Sequence, residues 1–118
     1  MPNTQAVKID MNGTVSHVDV DLSSIKSCIN VIEDGSIDVL GLNRNLDLWY
    51  STNKAKNMNA VATHLVRNLA QSNESSDKII HGNVFITKVD DVTGEIIPLT
   101  PEDMANIDLA QRIANQTA

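Results

Sequence analysis

Apolar and polar residues alternate from Ala6 to Met11 and again from Thr14 to Asp21, the two-residue period of strands with one buried face. Asn12-Gly13 between them supplies the positive φ angles that a tight turn needs, so the two segments read as a β-hairpin. The period then changes. Ile25, Cys28, Ile29 and Ile32 fall at i, i+3, i+4 and i+7, the stripe of a short amphipathic helix, and Leu22-Ser23-Ser24 offers its cap. Glu33-Asp34-Gly35-Ser36 breaks that helix, and Ile37 to Leu42 and Leu46 to Ser51 form a second hairpin around Asn43-Arg44-Asn45. Trp49 and Tyr50 point to opposite faces of the outgoing strand, so one of them belongs to the core.

A polar loop from Thr52 to Met58 leads into Ala62, Leu65, Val66 and Leu69, whose helical spacing predicts a helix over Asn59 to Gln71. Ser72 to Asp77 is too polar and too rich in turn formers to be buried, and reads as an exposed loop. Lys78 to Val89 is rich in β-branched residues and, through the turn Asp91 to Gly94, pairs with Glu95 to Leu99 as a third hairpin. Gly82 inside it marks a β-bulge or a close backbone approach, the bulge being the favoured reading. Thr100-Pro101-Glu102-Asp103 then places a capping threonine, a proline at the first helical position and acids in the first turn, which starts a helix from Pro101 to about Asn115. Hairpins interleaved with helices, with no repeat or linker between them, predict a single α+β domain over residues 1–118: an antiparallel sheet with about three helices packed on one face.

Composition narrows the function classes. A chain of 118 residues, 42% hydrophobic, holds one real core, but with only 3% aromatic residues it has no broad stacking platform. A net charge of −6 repels a phosphate backbone, so nucleic-acid polymers are excluded as partners, and a small anionic ligand requires local cations. The single cysteine, Cys28, has no disulfide partner, no apolar run is of membrane-spanning length, and the N-terminus lacks signal-peptide features. The expectation is a cytoplasmic protein that does not enter a membrane.

Assembled chemistry is sparse. His17, His64 and His81 are scattered without metal-ligand spacing, and Cys28 sits on an apolar helical stripe that suits a buried thiol better than a nucleophile. Asp19 and Asp21 share a strand face, which reads as a solvated face before a catalytic pair. No glycine begins a phosphate loop. No catalytic residue, metal or cofactor is therefore assigned. One constellation remains: Asn59, Thr63 and Arg67, at i, i+4 and i+8, form a polar stripe that either reads a ligand or is a solvated helix face. Lys54 and Lys56 precede this helix and His81-Gly82-Asn83 follows it, while Arg112 is a further cation on the last helix.

Asn59-Ala60-Val61-Ala62-Thr63-His64-Leu65, followed by Asp77-Lys78-Ile79-Ile80-His81-Gly82-Asn83-Val84-Phe85-Ile86 and the Leu99-Thr100-Pro101-Glu102 helix start, resembles a family of small uncharacterised domains of phages and mobile elements. The hairpin-rich N-terminal part and the C-terminal helix also look like the viral sponge proteins that sequester cyclic ADP-ribose-type signals in Thoeris anti-defence. That resemblance implies a ligand held by an aromatic residue, amides and arginines, for which Phe85, Asn83, Arg67 and Arg112 are the candidates. Together these readings imply a non-enzymatic, homo-oligomeric binding protein that captures a small anionic nucleotide signal or a host protein. The alternative is a structural or regulatory protein acting only through protein contacts.

Overall fold

The computed structural model describes residues 4–72 and 76–116. Its elements are β1 (Thr4–Ile9), β2 (Val15–Val20), α1 (Ile25–Ile32), β3 (Ile37–Leu42), a 3-10 turn (Asn43–Asn45), β4 (Leu46–Ser51), α2 (Ala60–Leu69), β5 (His81–Val89), β6 (Ile96–Ile97) and α3 (Pro101–Gln116). All strand pairs are antiparallel, in the order β2-β1-β5-β4-β3, with β6 pairing the far end of β5. The α+β class, the three hairpins and the helices at residues 25–32, 60–69 and 101–116 are those expected from the pattern. The middle of the loop expected at Ser72 to Asp77 lies outside the described residues. No described helix is long and apolar enough to cross a membrane.

The helices do not share one face, and here the expected packing is corrected. Val7, Ile9, Leu46, Leu48, Tyr50, Val84 and Ile86 join residues of α2 and α3 in one core. Ala6, Val20 and Phe85, on the opposite side chains of the same strands, join Cys28 and Ile32 of α1 in a second. Strand side chains alternate, so adjacent residues such as Phe85 and Ile86 serve opposite faces. The central strands β1 and β5 are thus covered on both sides, while α2 packs along α3 on one side only. Trp49 and Tyr50 divide in the same way: Tyr50 enters the α2–α3 core, and Trp49 lies half-buried beneath the α1 side, stacked on Phe85 at 5.3 Å and donating its indole N–H to Thr87.

Local chemistry explains the boundaries. Ser24 caps α1 by accepting from the Ser27 N–H, and Glu33 closes it in the left-handed region at φ 64°. The β1–β2 connection is wider than a two-residue turn: Asp10 accepts from the N–H groups of Asn12 and Thr14, and only Gly13 takes a positive φ. In the β3–β4 turn it is Arg44 and Asn45, at φ 69° and 60°, that reverse the chain. The Thr100–Asp103 start of α3 forms a reciprocal cap, with Thr100 N–H donating to Asp103 Oδ2 and Asp103 N–H to Thr100 Oγ1. Asp103 is fully buried and also meets Arg44 Nε at 2.7 Å and Lys88 Nζ at 3.0 Å, which pins the β3–β4 turn, β5 and α3 to one another.

Candidate functional site

Because β4 and β5 are neighbours, the loop leaving β4 and the segment entering β5 must meet at one end of the sheet, with α2 bridging them. They enclose a cleft of about 540 Å³ lined by Asp38, Tyr50, Ser51, Thr52, Lys54, Asp77, Lys78, Ile79 and His81. That volume falls in the range of small-molecule sites. The β-bulge expected at Gly82 is present: the β4–β5 register shifts between Tyr50 and Ser51, so that Ser51 faces His81, and Gly82 supplies the positive φ of 76°. The bulge turns the start of β5 into the wall of the cleft.

Lys78 Nζ lies 5.2 Å from the centre of the Tyr50 ring, a cation–π distance, and the Tyr50 hydroxyl donates to Asp38 at 3.4 Å. His81 Nδ1 is 3.0 Å from the Lys56 carbonyl oxygen, so that nitrogen carries the proton and donates, and Nε2 has no hydrogen-bond partner among the described residues. Among the described residues neither Lys54 nor Lys78 forms an ion pair. The cleft therefore holds two ammonium groups and an imidazole against the carboxylates of Asp38 and Asp77, with Ile79 and the edge of Tyr50 as apolar surface. Such a set can bind an anionic group while the carboxylates accept from hydroxyl or amino groups.

The six residues singled out in the sequence do not come together in one site. Asn59 is fully buried at the start of α2: its Oδ1 caps the Ala62 N–H, and its Nδ2 donates to the carbonyls of Ile9 and Gly82. Thr63 is buried one turn on, accepting from the Ile80 N–H and donating to the Ile80 carbonyl. The supposed ligand-reading stripe is thus an internal brace that holds residues 80–82, directly behind the cleft wall, and only Arg67 on it reaches solvent. Asn83 and Phe85 lie across the sheet on the α1 side. Asn83 accepts from the Met11 N–H and donates to Ile32 O and Glu33 Oε2, while Phe85 is fully buried in the stack with Trp49. Arg112 is on the outside of α3, paired with Asp108 one turn earlier. Polar groups satisfied inside the protein have no free donor for a ligand, which removes Asn59, Thr63 and Asn83 as direct contacts.

The remaining sequence candidates also separate. Cys28 is buried against the second core, and burial pushes its thiol pKa up, away from a reactive thiolate. Asp21 lies beyond the end of β2, where Ser23 donates to it through its hydroxyl and its N–H and holds its pKa down, so it forms a turn with no shared face to Asp19. Among the described residues no three His, Cys, Asp or Glu side chains gather as a metal site. Reading the sequence singled out Lys54 and His81 near the cleft but missed Asp38, Tyr50, Asp77 and Lys78. The adjacency of β4 and β5 was the signal that would have joined them.

No family model, curated protein or solved structure matches the chain.

Proposed function

We propose that this is a non-enzymatic binding protein whose ligand is a small anionic molecule held in the cleft at the β4–β5 end, a nucleotide being the class that fits best. The observation that carries this reading is the placement of Lys54, Lys78 and His81 around one volume in a chain of net charge −6, with neither lysine neutralised by an ion pair among the described residues. Lysines held by no direct ion pair leave their ammonium donors open to a bound phosphate, which they can grip by charge-assisted hydrogen bonds. Asp38 and Asp77 suit the hydroxyls of a ribose or the amino group of a base, and Tyr50 and Ile79 supply apolar contact. With the origin implied by the phage-domain resemblance, the natural ligand is a cyclic or linear signalling nucleotide of the host cytoplasm, which the protein retains without converting it.

Calorimetric titration with a panel of cyclic and linear nucleotides tests this directly. At least one member is expected to bind with micromolar affinity or better, and Lys54→Ala and Lys78→Ala each to weaken it by roughly tenfold, the size of a lost charge-assisted contact. Arg67→Ala, on the helix behind, is expected to leave binding unchanged. Binding that survives both lysine substitutions would move the ligand elsewhere. A second reading, contact with a host protein alone, is favoured by Met58 and Ile79, which are half-exposed beside the cleft and which a protein partner would cover. In that case no nucleotide raises the melting temperature.

A further inference from the structure

The five-strand path β2-β1-β5-β4-β3 ends in two edges, β2 and β3, and the structure treats them differently. Ile9 O accepts from Asn59 Nδ2, which also reaches Gly82 O, so Ile9 turns its main-chain groups toward β5. Main-chain directions alternate along a strand, so Lys8 and Ala6 turn toward β2, and their partners Ser16 and Val18 turn back toward β1. Val15, His17 and Asp19 therefore aim their N–H and C=O groups outward, and no described hydrogen bond satisfies them. Carried through β5 and β4, the same alternation puts the Val39 N–H on the outer side of β3. There it donates to the Asp38 carboxylate at 2.8 Å, while Leu42 bridges to Ala70 and Gln71 donates to the Leu42 carbonyl. The β3 edge is thus engaged at Val39 by the Asp38 side chain and at its Leu42 end by the chain after α2. The β2 edge, Val-Ser-His-Val-Asp-Val, has no proline, lysine, glycine or bulge to protect it.

We propose that β2 is a self-association edge, pairing antiparallel with β2 of a second copy about a two-fold axis through Val18. In this register each His17 stands opposite Asp19 of the second copy, and the two residues exchange both main-chain hydrogen bonds, giving one ring on each side of the axis. The imidazole of His17 and the carboxylate of Asp19, both exposed, then meet as a cross-strand donor and acceptor, twice. Centring the pair on His17 or on Asp19 keeps the same hydrogen-bond directions but sets like against like, so the side-chain pairing selects the register centred on Val18. The occupant is a second copy because the edge is complementary to itself. An interface built on one short edge is small, under the roughly 1,200 Å² of standard complexes, so association is expected in the micromolar range.

Sedimentation velocity over low to high micromolar concentration reads the association, and two charge variants read the register. The protein is expected to pass from monomer to dimer with rising concentration. His17→Asp sets two carboxylates opposite one another, and Asp19→Lys replaces the acceptor facing His17 with an ammonium donor; each is expected to weaken the dimer by roughly tenfold or more. An equimolar mixture of the two variants sets aspartates against the introduced lysine and against His17, and is expected to dimerise as well as the original protein. Both positions are exposed, so circular dichroism and melting temperature serve to show that the variants remain folded. A protein monomeric at every concentration overturns the proposal. So do folded variants that dimerise undiminished, or a mixture that gains nothing over its components. None of these outcomes depends on what the cleft binds.

Discussion

Replacing Asp103 with alanine is expected to cost about 3 kcal/mol of stability and to lower the unfolding midpoint by roughly 10 °C. The carboxylate is fully buried and serves three partners, the Thr100 N–H at the start of α3, Arg44 and Lys88. Removing it leaves the mostly buried Lys88 ammonium without its counter-charge and frees the β3–β4 turn from the helix. Asp103→Asn keeps the shape but not the charge, and isolates the electrostatic share. Burial opposes ionisation of Asp103, but the Thr100 N–H, Arg44 and Lys88 outweigh it and hold the pKa at about 2, below the ordinary 3.8. A depressed folded pKa means that the unfolded chain takes up the proton first. The contribution is thus complete above about pH 4 and is lost as the pH falls toward 2, amounting to about 2 kcal/mol. Urea unfolding at several pH values checks the sign: the stability of the asparagine variant should fall less steeply across that window, and equal slopes would refute the assignment.

Asn59→Ala carries the other large effect, about 3 kcal/mol or more. Three hydrogen bonds disappear together: the cap on the Ala62 N–H and the amide's bonds to Ile9 O and Gly82 O, all buried. Each carbonyl left without a donor is costly, and the lost cap adds about 1 kcal/mol. Asn59→Asp is expected to be at least as damaging, since an ionised carboxylate would face two carbonyl oxygens. Arg67→Ala, two turns along the same helix and exposed, should stay within about 0.5 kcal/mol. Chemical unfolding of the three variants measures this contrast, and a loss below about 1 kcal/mol at Asn59 would show that water replaces the amide. Because Asn59 holds the segment that walls the cleft, the alanine variant should also weaken the proposed nucleotide binding even where it remains folded.

Much of the fold was legible because its local signals were strong. The strand, turn and strand at residues 37–51 fall where the apolar runs and Asn43-Arg44-Asn45 place them, and Ser24 and Thr100-Pro101 mark two helix starts. The position of α1 was not legible in the same way. Its stripe shows that it buries Cys28 and Ile32 but carries no information on which side of the sheet receives them. The clue lay in the strands: Val84-Phe85-Ile86 and Ala6-Val7 are apolar at consecutive positions, as strands covered on both faces must be. The polar stripe misled for a related reason. Asn59 and Thr63 have the residue types of a ligand-reading surface, yet beyond the local cap on Ala62 their partners are backbone groups of residues 9, 80 and 82, distant in sequence and invisible until β1 and β5 are placed beside α2. Residues of the cleft were scattered over three segments, and only the strand order joins them.

The split between Trp49 and Tyr50 also has an optical consequence. They are the chain's only tryptophan and only tyrosine, adjacent in sequence yet committed to opposite layers. Indole emission therefore monitors the layer under α1, where Phe85 and Thr87 surround it, while the phenol absorbs from within the wall of the cleft. Selective excitation of the indole thus reads the α1 side of the sheet without any label.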